Sequence, residues 1–162
     1  MDRILIGVIA DTHGLIRPEA FEALKDSDLI VHAGDIGKPH VLDSLRAIAP
    51  VVAVRGNMDK EEWAQVLPKF EIVEVAHSFL YVIHDLNKLD LDPGEAGFSA
   101  IISGHSHKPS IRNQKGVLML NPGSAGPQRF NLPVSVALIY VKNGRLEPKL
   151  VELAVGAGNG SK

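Results

Sequence analysis

Cysteine is absent from this 162-residue chain, so neither a disulfide framework nor a thiolate metal site can be built from it. Aromatic residues make up only 5% of it, which leaves Ile, Val, Leu and Ala to fill the interior. No apolar run approaches the ~20 residues that a membrane helix needs. No long run of Lys and Arg is present, and a net charge of −2 offers no general field for a long nucleic acid. The N-terminal stretch lacks a signal-peptide pattern, which together with the missing cysteines suits a cytoplasmic protein. No Pro/Gly-rich linker interrupts the middle, so one domain is expected over residues 1–155. Gly156–Lys162 is small and polar and reads as a disordered tail.

What is present is 45% hydrophobic and 22% charged, the balance of a globular domain with one real core. Ile4–Ala10 is a compact apolar run broken only by Gly7, the pattern of a buried parallel strand. Pro18 suits the first turn of a helix carrying Phe21 and Leu24 on one face. Leu29–Ala33 and Val51–Val54 read as further buried strands. Between them Val41–Ile48 reads as a helix with Leu42, Leu45 and Ile48 inward, stopped by Pro50. This alternation predicts a parallel α/β half. The second half has the shorter runs Phe70–Val75, Phe79–Ile83, Ala100–Ser103 and Gly116–Leu120. Val134–Val141 and Leu146–Leu153 then flank Lys142-Asn143-Gly144, a tight hairpin signal. These later strands read as mostly antiparallel, so two packed sheets are expected.

Polar donors recur where these apolar runs end. Asp11-Thr12-His13 offers a carboxylate and an imidazole, or equally a turn in which Asp11 caps the next segment. In His32-Ala33-Gly34-Asp35, Gly34 permits a tight turn that aims Asp35 into a cleft. There Asp35 can bridge two cations or cap the next helix, and His32 reads as a supporting or core residue. Arg55-Gly56-Asn57-Met58-Asp59 supplies a neutral oxygen ligand in Asn57, or simply a turn. His84 closes the Phe79–Ile83 run. Gly104-His105-Ser106-His107 is the strongest local signal, because in an extended segment residues two apart face the same way. His40 and His77 have no such company and read as surface residues. Asn121-Pro122-Gly123-Ser124 is first of all a turn, whose polar groups could equally buttress the cleft, and Arg129 beyond it is a candidate phosphate contact. Oxygen and nitrogen donors recurring at strand ends without thiolate are what a two-metal hydrolytic site requires.

The ordered series Asp11-x-His13, Gly34-Asp35, Gly56-Asn57, His84 and Gly104-His105-x-His107 resembles the calcineurin-like metallophosphoesterase superfamily. The length and the Asn-Pro-Gly-Ser stretch resemble its small prokaryotic phosphodiesterase branch. The resemblance runs from about Ile4 to Leu153. It implies a four-layer α/β/β/α sandwich of two packed mixed sheets flanked by helices, with the site at the strand ends. It further implies a dinuclear metal-dependent phosphoric ester hydrolase. One metal would take Asp11, His13, Asp35 and His107; the other would take Asp35, Asn57, His84 and His105, with Asp35 shared. The donor set suits Mn²⁺, with Ni²⁺, Fe²⁺, Co²⁺ or Zn²⁺ as alternatives, better than Ca²⁺. Water shared by the two cations would attack a small phosphate ester, preferably a diester. His32, Asp59 and Arg129 are candidate helpers, Asp59 by orienting a ligand imidazole.

Two departures stand out. Larger phosphatases of the superfamily carry a histidine after the metal-binding Asn that is thought to protonate the leaving group, where this chain has Met58. A missing general acid costs ~10²–10⁴-fold on poor leaving groups. Relatives often carry glycine after the strand-end histidine, where this chain has Asp85. The competing reading is a protein-binding scaffold with a retained metal site, resembling the scaffold subunit of the retromer coat, but every ligand position here holds a competent donor. Substrate contacts beyond the phosphate are expected from Leu86–Gly97 and Ala125–Leu132, and a homo-oligomer is left open.

Overall fold

A computed structural model describes residues 3–129 and 131–155. The tail expected over Gly156–Lys162 lies outside them. Strands β1 (Ile4–Ile9), β2 (Leu29–His32) and β3 (Val51–Ala53) alternate with helices α1 (Pro18–Leu24) and α2 (Pro39–Arg46). After a 3₁₀ turn at Glu62–Val66 come β4 (Phe70–Val75), β5 (Ser78–Ile83), a second 3₁₀ turn at Leu86–Lys88 and β6 (Ala100–Ile102). The chain ends with the pairs β7 (Ser110–Gln114) and β8 (Val117–Asn121), then β9 (Ser135–Lys142) and β10 (Arg145–Glu152).

Ten strands form two mixed five-stranded sheets, ordered β10-β9-β1-β2-β3 and β4-β5-β6-β8-β7. In the first sheet β1, β2 and β3 are parallel, while β9 and β10 are antiparallel. In the second sheet the pairs β5–β6 and β6–β8 are parallel, so it is less antiparallel than the short apolar runs suggested. Loops and crossover segments long enough to return the chain to the same end make this possible.

The faces follow the two-residue period of a strand. Ile6, Val8 and Ala10 enter the layer between the sheets with Leu80, Val82, Ile102 and Leu120. Ile9 and Ile30 face outward onto Leu24, Leu42 and Leu45 of the two helices. No aromatic side chain belongs to the buried inter-sheet cluster among the described residues, as the composition predicts. Gly7 is required because a Cβ there would lie 2.7 Å from Leu24 Cδ2. On the outer face of the second sheet the flanking helical layer is thin. Tyr81, Ile101 and Met119 are covered by Leu86, Leu89, Leu91 and Phe98, from the second 3₁₀ turn and the loop after it.

Pro18 and Pro39 both stand at a helix start, where a missing N–H costs nothing. Asn143 and Gly144 both adopt positive φ, which confirms the hairpin turn. Strand β7 has no apolar period: its sequence is Ser-Ile-Arg-Asn-Gln, largely exposed at the sheet edge, and β8 supplies its pairing. No helix among the described residues is long and apolar enough to cross a membrane.

Candidate metal centre

The parallel strands β1, β2 and β3 end at one rim, and β5 and β6 bring their carboxyl ends to it from the other sheet. The loops leaving these ends are tied together by main-chain hydrogen bonds. Asp11 N–H donates to Gly34 O at 2.9 Å, His13 N–H to Asp35 O at 3.0 Å, and Gly104 N–H to His84 O at 2.9 Å. Distant motifs thereby meet in a single cleft outside the strand ends, the usual ligand position in such sheets.

Asp11 is fully buried. Its Oδ2 accepts the His105 amide at 3.0 Å, while its Oδ1 lies 3.5 Å from His107 Nε2 and 3.8 Å from both His13 Nε2 and His84 Nε2. Asp35 Oδ1 accepts the Met58 amide at 2.9 Å, and its Oδ2 lies 3.3 Å from His84 Nε2 and 3.8 Å from His13 Nε2. His84 Nδ1 donates to Ala33 O at 2.8 Å, which turns Nε2 toward the two carboxylates. His13 and His107 stack with centroids 5.5 Å apart, and His105 stands edge-on to His84 at 5.2 Å. His105 is the outermost ring, its side chain 43% exposed and 3.9 Å from Asp85. Asn57 is exposed in the turn after β3 and lines the cleft beside His84.

Two groups therefore have cation-holding geometry: Asp11 with His13 and His107, and Asp11 with Asp35 and His84. Asp11 is common to both, and Asp35 Oδ2 reaches a histidine of each. Asp11 Oδ1, His13 Nε2, His84 Nε2 and His107 Nδ1 are buried polar atoms without a hydrogen-bond partner. Buried atoms of this kind are normally paired. His13 Nε2 and His84 Nε2 each lie 3.8 Å from Asp11 Oδ1 across the cleft, with His107 Nε2 3.5 Å from the same oxygen, and this carboxylate and imidazole set fits divalent cations as the missing partners.

The backbone carries strain here. Asp11, His13, Asp35, His105 and His107 all adopt positive φ, between 49° and 77°. The two histidines of Gly104-His105-Ser106-His107 are thus not presented by an extended segment, as the spacing suggested. Left-handed turns aim each ring separately. Side chains with a Cβ avoid this region, and each such residue costs on the order of 1–3 kcal/mol unless its surroundings enforce it.

Electrostatics follow burial. Desolvation raises the Asp11 carboxyl to about 7, against the opposing pull of His84 and the His105 amide. Burial also works to raise Asp35, but the His84 imidazole 3.3 Å away, then the Met58 amide and His13, hold it below its ordinary value. Burial works to lower His84, yet Asp35 and then Asp11 raise it overall. Desolvation, then the positive charge of Arg129, lowers His107 to about 4. Burial lowers His13 as well, and Arg129 adds to that effect. Arg129 is exposed, but its field reaches the cleft.

His32 is the buried supporting residue that its place in the sequence suggested, while Asp59 supports the loops in another way than expected. His32 is fully buried; its Nδ1 accepts the Gly34 amide at 3.1 Å and its Nε2 lies 3.0 Å from Thr12 Oγ1, which donates to Ile36 O. Desolvation lowers its pKa to about 3, so it stays neutral and braces two ligand loops. Asp59 orients no imidazole. Its carboxylate accepts the amides of Ile36, Gly37 and Gly56 at 2.9–3.1 Å, tying the Asp35 loop to the Asn57 loop. Asn121 and Ser124 are braces, the alternative that the turn signal left open. Asn121 Nδ2 donates to Gly104 O and Ser106 Oγ, and Ser124 Oγ donates to Asp11 O. Their burial was the missing clue. Asp11 and Asp35 cap neither helix, since the preceding cap positions are Arg17 and Lys38. His40 and His77 are exposed, as expected.

Fold and cleft together are those of a metal-dependent phosphoesterase, and comparison with known proteins agrees. Residues 4–144 match the calcineurin-like phosphoesterase superfamily domain, and the chain belongs to that superfamily. It is 40% identical over 163 residues to "Probable metallophosphoesterase MJ0623" of Methanocaldococcus jannaschii, covering 93% of this chain and 82% of that one. It is 25% identical over 136 residues to "Phosphodiesterase MJ0936" of the same organism, covering 73% and 82%. Among solved structures, Vps29 of Chaetomium thermophilum superposes with a TM-score of 0.75 at 20% identity, covering 93% and 97%. That likeness concerns the fold alone.

Proposed function

We propose that this chain hydrolyses small phosphodiesters with two divalent cations, Mn²⁺ being the favoured ion. One cation would be held by Asp11, His13, Asp35 and His107, the other by Asp35, Asn57, His84 and His105. The observation that carries this reading is the set of unpartnered buried atoms Asp11 Oδ1, His13 Nε2 and His84 Nε2, gathered in one cleft with His107 Nε2 beside the same Asp11 oxygen. Asp35 as the shared ligand is supported by its Oδ2, which lies near both His13 and His84. Cations in these positions would lower the pKa of water and clamp the phosphate oxygens.

The protein's own contribution is placement. Strained loops hold the donors before any ligand arrives, so little reorganisation remains for binding. Arg129 adds positive potential on the open side, which favours an anionic ester. Met58 is 60% exposed at the lip of the cleft and offers no donor. A monoester dianion would find no proton or hydrogen bond there, whereas a diester carries one charge on two non-bridging oxygens. The diester preference rests on this.

Protein stripped with chelator should lose hydrolysis of bis(p-nitrophenyl) phosphate and regain it with Mn²⁺. Asp35→Asn should abolish turnover while circular dichroism and thermal midpoint stay close to those of the parent. Undiminished turnover by a clean Asp35→Asn preparation would refute the reading. Elemental analysis of the protein as purified should find a transition metal at more than one equivalent.

A further inference from the structure

A groove leaves the cleft on the side of Asn57 and His84 and runs along the rim toward the start of β4. Arg55, Lys60, Lys69 and Lys88 line it, together with the ring of Phe70. These cations come from separate elements: the loop after β3, the approach to β4 and the 3₁₀ turn after β5. In a chain of net charge −2 such a concentration of one sign is notable. None of the four forms an ion pair among the described residues. The acids of the same wall do not neutralise them. Asp59 is bound to three amides, and Asp85 accepts the Asn87 amide and faces His105. The Arg55 guanidinium is oriented by a 2.7 Å bond to Gln65 Oε1, yet its Nε is buried without a partner. A guanidinium fixed by Gln65 and three exposed ammonium groups along one groove form a seat for an anion.

The aromatic wall is also pre-set. Phe70 is 51% exposed, although large apolar groups are usually covered. One face of its ring stacks on Tyr81, with centroids 5.3 Å apart and planes 12° from parallel. Tyr81 is held in turn by Phe98. The other face of Phe70 is left to the groove, a rigid platform for a flat ring.

Building on the proposed phosphodiesterase activity, we infer that the groove seats the remainder of a nucleotidic substrate, with a second phosphate among Arg55, Lys60, Lys69 and Lys88 and a base against Phe70. The substrate class is then a short nucleotide diester carrying an additional phosphoryl group, not a bare diester. Lysine and arginine alone would accept any polyanion; the pre-stacked Phe70 selects one with an aromatic ring.

The test is equilibrium binding, which does not depend on turnover. Calorimetric titrations in chelator, where the proposed hydrolysis does not run, compare adenylyl-adenosine with its 5′-phosphorylated form. The phosphorylated dinucleotide should bind roughly tenfold tighter at low salt, with the advantage shrinking as ionic strength rises. Arg55→Gln combined with Lys69→Gln should bring the two affinities together, and Lys60→Gln with Lys88→Gln should do the same in part. Phe70→Leu should weaken both dinucleotides and leave their ratio unchanged. Unaltered thermal midpoints would show that the variants fold. Equal affinity of the two dinucleotides in the parent protein, or no binding of either, would overturn the inference. If bis(p-nitrophenyl) phosphate is never hydrolysed, the proposed activity falls, while the binding ratio still reports on the groove.

Discussion

His84 Nε2 lies 3.3 Å from Asp35 Oδ2, and the other nitrogen of the same ring donates to the Ala33 carbonyl at 2.8 Å. A histidine leaving the second sheet is thereby locked to the loop that carries Asp35 of the first. Gly34 makes this approach possible: its φ of +106° bends the loop, and a Cβ there would lie 2.7 Å from His84 Nδ1.

The pair predicts how metal binding depends on pH. Without metal, His84 is held above its ordinary pKa and Asp11 titrates at about 7, so protons compete with a cation for both as the pH falls through neutrality. A cation needs both unprotonated. Metal uptake should therefore release protons, and the affinity for Mn²⁺ should rise between about pH 6 and pH 8. Calorimetry in two buffers of different ionisation enthalpy measures the release directly. Heats that do not depend on the buffer would contradict this account, and His84→Ala should reduce the number released.

Gly56 offers a second check, made without touching a ligand. Its φ lies outside the left-handed region, but a Cβ at this position would collide with Asp35 Oδ1 and the Asp35 amide. Gly56→Ala should therefore displace Asp35 and weaken metal affinity about 10–100-fold, the range seen when the support of a ligand is lost. A variant with parental Mn²⁺ affinity would show that Asp35 is not held where the structure has it.

Strain at the ligands predicts a trade between stability and function. His105 has φ of +77° and an exposed ring, so little packing is lost on replacing it. Asparagine tolerates this conformation better than histidine does. In chelator, His105→Asn should raise stability by about 1 kcal/mol, or roughly 2–4 °C in thermal midpoint for a domain of this size. The same variant should bind Mn²⁺ more weakly. A lowered midpoint without metal would mean that the left-handed turn is not strained.

Met58 sits where larger relatives place an acid. Met58→His should speed hydrolysis of an alkyl diester on the order of 10²-fold, and of a p-nitrophenyl diester far less. Only the alkoxide needs a proton as it departs. Equal effects on both esters, read as kcat/KM, would count against the absence of an acid as the limiting feature.

Much of the site was legible before folding was considered. Asp11, Asp35, His84 and His107 each follow an apolar run, and the ends of parallel strands collect at one rim. Composition foretold the aliphatic core for the same reason: with so few aromatics, nothing else was available to fill it. The braces were less legible. Asn121 and Ser124 look first like turn residues, and Asp59 reads as a partner for an imidazole rather than for three amides; burial and the partners it brings are what a local sequence pattern does not report. Strand β7 escaped notice because an exposed edge strand owes its existence to the partner it pairs with.

Residue identity and order were thus enough for the donor chemistry and for two packed sheets, because those depend on which side chains occur and at what period along a strand; the superfamily and its four layers followed from the resemblance of the ordered motifs. The assembly of Arg55, Lys60, Lys69, Lys88 and Phe70 into one groove, and the left-handed turns that aim His105 and His107, belong to the folded chain. Both arise from contacts between segments far apart in the polypeptide, and a local period carries no information about such contacts.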